Sequence, residues 1–185
     1  MNLSFISNGY LFIPNFIDSD RAVKTAKHFM NLCKKINAND DPQVSNAPSV
    51  RNYGRALEIL CEKTPIISDI IGEYVLPAYT YGRVYGNGST LEPHIDRPSC
   101  EVSLSVHLDG DKEWALSLND RKGKQRDFIM TPGDAVLYLG TEFVHWREPY
   151  EGEYHAQVFL HYVRSRGEFA DHYFDRMHAI NITET

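Results

Sequence analysis

The strictest pattern in this sequence lies at residues 101–108, where apolar and polar side chains alternate. The apolar positions are Val102, Leu104, Val106 and Leu108, and the polar positions between them are Ser103, Ser105 and His107. A period of two predicts a β-strand whose two faces differ in polarity. The apolar face requires a second layer of structure to cover it, and we expect the polar face to point into the β core.

Shorter segments with β character are spaced along the second half of the chain. They cover residues 80–85, 91–96, 114–118, 135–139 and 154–163, and another strand is predicted at residues 9–14. Helical periodicity is confined to the N-terminal part. It predicts one amphipathic helix over residues 20–36 and two short helices over 55–62 and 65–75, divided at Pro65. This order predicts a mainly β fold, as a barrel or double sheet, with flanking α-helices.

The length of 185 residues fits a single domain. We divide it into a helical support layer at residues 1–78, a β core at 79–163 and a C-terminal tail at 164–185. Residues 38–54 are rich in Asn, Asp, Pro and Ser and show no periodicity. A polar loop of this length is usually functional or disordered, so the segment is predicted to be either a lid over a binding site or a plain mobile loop.

Composition and charge exclude several classes of protein. The net charge is -6 and no basic run is present, which disfavours a nucleic-acid groove. No apolar run approaches the roughly 20 residues that span a bilayer, and the N-terminus lacks the features of a secretory signal. Cys33, Cys61 and Cys100 are widely spaced and odd in number, which indicates reduced thiols. We therefore expect a cytoplasmic protein.

The candidate chemistry centres on His94 and Asp96. On a β-strand, residues two apart point to the same face, so an imidazole and a carboxylate would converge. A second histidine would complete a set of two His and one carboxylate, which suits non-haem Fe(II) with open positions. His145 lies after the turn sequence Thr131-Pro132-Gly133-Asp134 and is the preferred third ligand. The other histidines are His28 in a predicted helix, His107, His155 and His161 on predicted strands, and His172 and His178 in the tail.

Several motifs in order along the chain resemble a known family. These are residues 11–17, the turn after Tyr85, His94-Ile95-Asp96, and Pro132-Gly133-Asp134-Ala135 followed by His145. Together they resemble the Fe(II)/2-oxoglutarate-dependent oxygenases of the prolyl 4-hydroxylase type. The resemblance implies a double-stranded β-helix (jelly-roll) core and Fe(II) held by His94, Asp96 and His145. It also implies a dioxygenase that uses 2-oxoglutarate and dioxygen, hydroxylates a substrate, and releases succinate and carbon dioxide.

The same resemblance suggests where 2-oxoglutarate would bind. Tyr85 matches a family tyrosine at the 2-oxoglutarate pocket. The family's basic residue, about ten positions past the distal histidine, is replaced here by His155. We therefore predict that His155 anchors the far carboxylate as an imidazolium, with His107 and Gln157 beside it. Arg147, Arg97 and Arg83 are alternative sources of the positive charge.

The substrate is not readable from the sequence. Arg97, Ser99 and Glu101 follow Asp96 closely, so we predict that they lie at the rim of the metal site and contact the substrate. A peptidyl proline is the family analogy, and a small molecule is equally open. Two other readings remain: a cupin-like metalloenzyme that holds Zn or Mn as a hydrolase or isomerase, and a non-enzymatic metal-binding sensor module.

Overall fold

The computed structural model describes residues 2–175 and contains two antiparallel β-sheets. The strands are β1 (Tyr10–Ile13), β2 (Asp40–Asp41), β3 (Val44–Arg51), β4 (Val75–Gly86), β5 (Leu91–His94), β6 (Val102–Gly110), β7 (Leu116–Asn119), β8 (Gln125–Phe128), β9 (Ala135–Leu139), β10 (His145–Arg147) and β11 (Tyr154–Arg164). A seven-stranded sheet has the order β1-β9-β6-β11-β4-β3-β2, and a four-stranded sheet has the order β5-β10-β7-β8. The predicted double sheet with helical flanks is confirmed.

The large sheet has one apolar and one polar face, as the alternation at residues 101–108 predicted. The apolar side chains of β6 are fully buried in the main core, together with residues of the helices α2 and α3 described below. At this interface Tyr162 on β11 donates a hydrogen bond from its hydroxyl to the carbonyl oxygen of Leu60 (2.8 Å). The polar face is directed towards the small sheet, where Arg147 of β10 contacts Gln157 of β11. The helices therefore support the large sheet from behind and leave the space between the sheets for polar groups.

The helices are α1 (Leu3–Asn8), α2 (Ser19–Ile36) and α3 (Gly54–Ile71). The prediction of two short helices divided at Pro65 was wrong, since α3 runs through this residue. A proline inside a helix removes one hydrogen bond and costs about 3 kcal/mol. That cost is offset by the burial of Ile59, Leu60 and Ile67. Thr64 also donates its hydroxyl to the carbonyl of Leu60 (2.8 Å), which adds a hydrogen bond beside the proline.

The prediction of a loop at residues 38–54 was wrong. The segment forms β2 and β3, and β3 pairs with β4 so that Ser49 lies opposite Arg83 and Arg51 opposite Tyr81. Asp41 ties this extension to the sheet, because its carboxylate accepts hydrogen bonds from Arg83 (2.8 Å) and from the Tyr81 hydroxyl (2.5 Å). Most residues of these two strands are exposed or half-buried, so the segment lacks the apolar pattern of a buried strand. The boundary at residue 78 was also wrong, because β4 begins at Val75.

The C-terminal part of the described chain is a 3-10 turn at Ala170–Asp175. The rest of the predicted tail, including His178, lies outside the described residues. No helix within residues 2–175 combines the length and the apolar character needed to cross a membrane. Cys33 and Cys100 are buried free thiols, and Cys61 is an exposed one.

The turn Thr131-Pro132-Gly133-Asp134 depends on its glycine and its aspartate. The Asp134 carboxylate accepts hydrogen bonds from the backbone N–H groups of Asn15 (2.9 Å) and Thr131 (2.9 Å). Gly133 has a φ of 98°, and a Cβ at this position would collide with the carbonyl oxygen of Ile17. The turn therefore joins the start of β9 to the segment before α2, and only glycine fits at its centre.

We expect Gly133→Ala to lower the free energy of unfolding by about 2 kcal/mol or more, because it combines a positive φ with a backbone collision. Urea unfolding followed by circular dichroism measures the change. Gly123→Ala is the matched control, since Gly123 has a φ of 71° but nothing within 4 Å of an added Cβ. Equal losses in the two variants would show that backbone conformation alone, and not the contact with Ile17, sets the requirement for glycine.

Candidate metal centre

Three side chains with metal-binding chemistry meet between the sheets. His94 is the last residue of β5 and His145 the first residue of β10, and the two lie directly opposite each other in antiparallel register. Nε2 of His94 lies 3.7 Å from Oδ1 of Asp96, and Nε2 of His145 lies 3.6 Å from the same oxygen. The three potential ligand atoms are all within 4.8 Å of one another. The strand predicted at residues 91–96 ends at His94, and Asp96 lies just after it. The three side chains are therefore brought together by the pairing of β5 with β10 and not by one continuous strand.

Both histidines are oriented by backbone carbonyl groups. Nδ1 of His94 lies 2.8 Å from the carbonyl oxygen of Glu92, and Nδ1 of His145 lies 2.9 Å from that of Phe143. A carbonyl can only accept, so each Nδ1 carries the proton and each Nε2 keeps its lone pair. This is the second-sphere arrangement that fixes a metal-binding histidine in its ligating tautomer. Burial lowers the pKa of His145, which also favours the neutral form.

The carboxylate of Asp96 is held by one oxygen, so that the other stays directed at the histidines. Oδ2 accepts a hydrogen bond from the hydroxyl of Ser103 (2.9 Å), and Ser103 Oγ lies 2.9 Å from Nδ1 of His161. The Asp96 backbone N–H donates to the carbonyl of Gly140 (2.8 Å). A side chain on Gly140 would collide with Asp96, so the glycine leaves room for this carboxylate. Ser103, the first of the three polar residues of the alternating strand, therefore positions Asp96.

A second cluster shares Asp96 but has poorer donors. Asp96, Cys100 and His161 also bring potential ligand atoms within 4.8 Å of one another. Burial raises the pKa of the Cys100 thiol to about 12, so the thiol is protonated at neutral pH. Nδ1 of His161 is already hydrogen-bonded to Ser103. The set of His94, Asp96 and His145 is therefore the better metal site.

A cavity of about 150 Å³ opens beside the three candidate ligands. One wall is the polar face of the large sheet, where pairs of residues on β11 and β4 lie side by side. In this register His155 is opposite Tyr85, Gln157 opposite Arg83, Phe159 opposite Tyr81 and His161 opposite Tyr79. Tyr138 of β9 completes the wall, and its ring centroid lies 4.7 Å from that of His145. His155, Gln157, Phe159 and His161 share one face of β11, and of these Phe159 and His161 line the cavity.

Arg147 is a fully buried cation close to His145, and it is not among the residues that line the cavity. It lies two residues after His145 on β10, and its Nη2 donates to Oε1 of Gln157 (2.7 Å) while Nη1 donates to the carbonyl of Trp114 (3.0 Å). Its Nε and the amide nitrogen of Gln157 have no hydrogen-bond partner among the described residues. Burial lowers the pKa of Arg147 to about 10, so the guanidinium is still charged at neutral pH. Among the described residues, no carboxylate forms an ion pair with it, and a buried charge without a counter-ion is costly.

His155 lies next to this arginine and is held in its neutral form. Its ring stacks on that of His107 at a centroid distance of 4.3 Å and packs against Trp114 at 5.2 Å. Burial, followed by the charge of Arg147, lowers the pKa of His155 well below its ordinary value, and burial lowers that of His107 to about 4. These shifts count against the predicted imidazolium anchor at His155.

The other residues predicted for the co-substrate and the substrate have distinct positions. The Tyr85 hydroxyl accepts a hydrogen bond from Arg83 (2.8 Å), and Arg83 is also paired with Asp41 (2.8 Å). Arg97 is exposed at the cavity rim, with its guanidinium carbon 4.7 Å from the centroid of the Tyr79 ring. Ser99 is buried. These contacts commit Arg83 to a carboxylate and leave Arg97 at the surface.

The prediction that Glu101 contacts a substrate is contradicted by its surroundings. The side chain is 1% exposed, and its carboxylate accepts hydrogen bonds from the backbone N–H of Arg164 (2.7 Å) and from Arg164 Nε (2.6 Å). It therefore joins the start of β6 to the end of β11. Sequence reasoning missed Arg51 and Tyr79, which line the cavity. Arg51 is the last residue of β3, within the segment 38–54 that was predicted to be a loop, and no sequence pattern marks it as part of a site.

Comparisons with solved structures give matches over most of the chain, whereas no protein-family model and no curated protein matches. A prolyl-4-hydroxylase from Pseudomonas putida is 15% identical, with a TM-score of 0.74, and the match covers 89% of this chain and 96% of that one. The 2-oxoglutarate-dependent carbocyclase SnoK of nogalamycin biosynthesis is 10% identical, with a TM-score of 0.74 over 87% and 81%. HygX from Streptomyces hygroscopicus, solved with nickel and 2-oxoglutarate bound, is 13% identical, with a TM-score of 0.66 over 88% and 85%.

At these identities the similarity establishes the fold. The two antiparallel sheets, with His94 and His145 on the smaller one, form the jelly-roll fold of the 2-oxoglutarate/Fe(II) oxygenases. The fold implied by the sequence resemblance is thereby confirmed.

Proposed function

We propose that this chain is a single-domain Fe(II)- and 2-oxoglutarate-dependent dioxygenase that hydroxylates its substrate, with His94, Asp96 and His145 as the iron ligands. The observation that carries the proposal is the common orientation of the three side chains. Both imidazoles are fixed with Nε2 directed at the same carboxylate oxygen. Two histidines and one carboxylate leave further coordination positions open, as an Fe(II) oxygenase requires.

Bound Fe(II) would supply the activation of dioxygen, coupled to decarboxylation of 2-oxoglutarate to succinate and carbon dioxide and to hydroxylation of the substrate. The protein supplies the ligands, their orientation and a largely buried space. Iron-loaded protein should therefore convert 2-oxoglutarate to succinate under air, and zinc-loaded protein should not. Metal-loaded protein that forms no succinate with any substrate tested would favour the cupin-like or the sensor alternative.

We propose Arg147, supported by Gln157, as the anchor for the far carboxylate of 2-oxoglutarate. Residues two apart on a strand are separated by roughly 6.6 Å, so Arg147 lies one such step inward from His145. This step is comparable to the distance between the metal-binding end and the far carboxylate of 2-oxoglutarate. The Nε of Arg147 and the amide nitrogen of Gln157 have no hydrogen-bond partner among the described residues, and both could donate hydrogen bonds to a carboxylate. Tyr85, His107 and His155 would then shape the pocket around the arginine.

His145→Ala and Asp96→Ala are each expected to weaken Fe(II) binding by at least about 100-fold, because one of three ligands is lost. Anaerobic Fe(II) titration measures the affinity. His28→Ala is the matched control, since His28 lies on α2 and contacts Tyr53. If His145→Ala binds iron as tightly as the parent while His161→Ala does not, then His161 and not His145 is the third ligand.

Ser103→Ala is expected to reduce metal affinity by about 10- to 100-fold without removing a ligand, because Asp96 loses the hydrogen bond that orients it. The readout is the dissociation constant for Mn(II), measured by electron paramagnetic resonance. Ser105→Ala serves as the control on the same face of β6. Parent-like Mn(II) affinity in Ser103→Ala would mean that Asp96 holds its position without the serine.

Arg147→Gln is expected to weaken 2-oxoglutarate binding by about 100-fold or more, since a charged, buried hydrogen-bond donor is lost. In the parent, affinity should stay flat from pH 6.5 to 8.5, because the pKa of Arg147 is about 10 and binding an anion raises it further. With a histidine anchor, the affinity for 2-oxoglutarate would instead depend on pH. The imidazolium would be lost as pH rises through the pKa of the complex, so binding would weaken over this range.

Calorimetry with saturating Mn(II) measures these affinities, with His155→Ala as the companion variant. His155→Ala should change the affinity much less than Arg147→Gln does. An affinity that falls steadily with rising pH in the parent, and becomes flat in His155→Ala, would return the anchoring role to the histidine.

A further inference from the structure

Resting on the proposed function, we propose that the substrate of this site carries a hydroxyl or amide N–H group that donates a hydrogen bond to Nε2 of His161. This residue lies on β11 and lines the cavity together with the candidate ligands His94, Asp96 and His145. Its side chain is only 5% exposed, so it meets a ligand inside the cavity and not on the outer surface. Neither the proposed iron site nor the proposed 2-oxoglutarate anchor makes use of it.

The ring of His161 is held by residues of both neighbouring strands. In the large sheet His161 lies opposite Tyr79 of β4 and opposite Ser103 of β6. The ring centroids of His161 and Tyr79 are 4.5 Å apart, and the ring of Phe159 lies nearly parallel to that of His161 at 6.3 Å. The Tyr79 hydroxyl is hydrogen-bonded to Sγ of Cys100 (3.0 Å), which holds the tyrosine ring in turn. The two nitrogen atoms of His161 therefore point in fixed directions.

The hydrogen bonds around Ser103 determine which nitrogen of His161 carries the proton. Ser103 Oγ lies 2.9 Å from Oδ2 of Asp96, 3.0 Å from the carbonyl oxygen of Cys100 and 2.9 Å from Nδ1 of His161. A serine hydroxyl has one hydrogen, and the carboxylate and carbonyl oxygens can only accept. If that hydrogen were donated to Nδ1, both oxygens would face lone pairs of Oγ with no hydrogen between them. Nδ1 of His161 therefore donates to Ser103, and Ser103 donates to Asp96.

This assignment makes Nε2 of His161 a hydrogen-bond acceptor. The ring is buried, burial favours the neutral form of an imidazole, and a neutral imidazole with its proton on Nδ1 has a lone pair on Nε2. Among residues 2–175, no group forms a hydrogen bond with this atom. Both ring nitrogens of His155 are enclosed by protein atoms without a partner, whereas Nε2 of His161 is not enclosed. Its lone pair is therefore open to the cavity.

Other polar groups on the same wall of the cavity are already paired. The carboxylate of Asp41 accepts hydrogen bonds from Arg83 (2.8 Å) and from the Tyr81 hydroxyl (2.5 Å). Nε2 of His161 is thus a polar atom of this wall that is left for a substrate. Its lone pair attracts an N–H or O–H group and repels the oxygen of a carboxylate, so the substrate is selected by a group that can donate.

His161 is close enough to the candidate metal centre to hold a substrate beside it. A ring nitrogen of His161 lies within 4.8 Å of a carboxylate oxygen of Asp96, and two hydrogen bonds through Ser103 connect the two side chains. The same serine therefore orients a metal ligand and sets the tautomer of the residue that would bind the substrate. A donor group held by Nε2 would bring the neighbouring C–H bonds of the substrate next to the metal.

The tautomer of His161 can be measured without a metal or a substrate. Long-range ¹H–¹⁵N correlation spectra of the ¹⁵N-labelled protein at neutral pH should show a proton on Nδ1 of His161 and none on Nε2. The spectrum of His161→Asn identifies the signals of this residue by their loss. A proton on Nε2 in the parent protein would overturn the inference.

Binding of small amides and alcohols to protein loaded with Mn(II) and 2-oxoglutarate tests the acceptor itself. N-methylacetamide is compared with N,N-dimethylacetamide, and tert-butanol with tert-butyl methyl ether, because the second member of each pair has lost its donor hydrogen. Broadening of the methyl proton resonances by Mn(II) gives the affinity and the distance from the metal. In at least one pair, the parent should bind the donor about three- to tenfold more tightly, as one hydrogen bond to a neutral acceptor provides. The pair with the larger preference shows whether an amide or a hydroxyl is favoured.

Two substitutions of His161 separate substrate binding from the support of Asp96. His161→Asn can place an amide N–H near the position of Nδ1, so Ser103 keeps its donor and the Mn(II) affinity should stay close to that of the parent, while the preference for the donor probe is lost. His161→Gln can place an amide oxygen near the position of Nε2 and should keep part of the preference. His28→Asn is the control and should behave as the parent does, since His28 is exposed on α2.

Equal affinity for the two members of each pair in the parent would overturn the inference, and so would the same preference in the parent and in His161→Asn. In contrast, a parent protein that binds neither Mn(II) nor 2-oxoglutarate would contradict the proposed function itself, and the tautomer of His161 would still be measurable. Near-ultraviolet circular dichroism of each variant establishes that the fold is retained.

Discussion

The candidate site depends on the different contacts that the two oxygens of the Asp96 carboxylate make. One oxygen accepts a hydrogen bond from Ser103, and the other faces two imidazole nitrogens at 3.6 and 3.7 Å. This works only because Ser103 lies on the polar face of the large sheet while the histidines lie on the small sheet. The space between the sheets is therefore spanned by a chain of polar contacts, and the apolar core is displaced to the side of the helices.

A polar interior of this kind has an energetic cost. Arg147, His107, His155 and His161 are all buried, and burying a polar group without a partner costs on the order of 1–3 kcal/mol. The histidines reduce the cost by staying neutral, with pKa values of about 4 for His107 and His161. These values lie below the ordinary value of 6.5, so the neutral histidines stabilise the fold above that pH and the contribution is lost as pH falls towards 4. Arg147 stays charged, so its cost is relieved only by an anion, which is the physical reason to expect one there.

How much of this could be read from the sequence depends on whether the relevant contact lies within one strand or between sheets. The alternation at residues 101–108 predicted the two faces of β6, and the pair His94 and Asp96 was recognised from its spacing. The strands β2 and β3 at one end of the large sheet were missed because their sequence is polar and lacks an apolar alternation, and β10 was missed because it has only three residues. The prediction of His155 rather than Arg147 as the 2-oxoglutarate anchor has a similar cause, because it depended on a contact between the sheets. Counting along one strand identifies His155, whereas the contact between Arg147 and Gln157 joins residues of two sheets.

The two sheets also differ in how firmly they are supported. The large sheet is backed by α2 and α3 and has a central strand of 11 residues, whereas β5 and β10 contain four and three residues. Local stability follows buried apolar contact and continuous hydrogen bonding, so the small sheet is the less stable of the two. His94 and His145 are adjacent across this weak pair of strands, and the third candidate ligand, Asp96, is fastened to the large sheet through Ser103. A metal bound by all three would therefore join the weaker sheet to the stronger one, and its binding free energy would add directly to the stability of the β5–β10 pair.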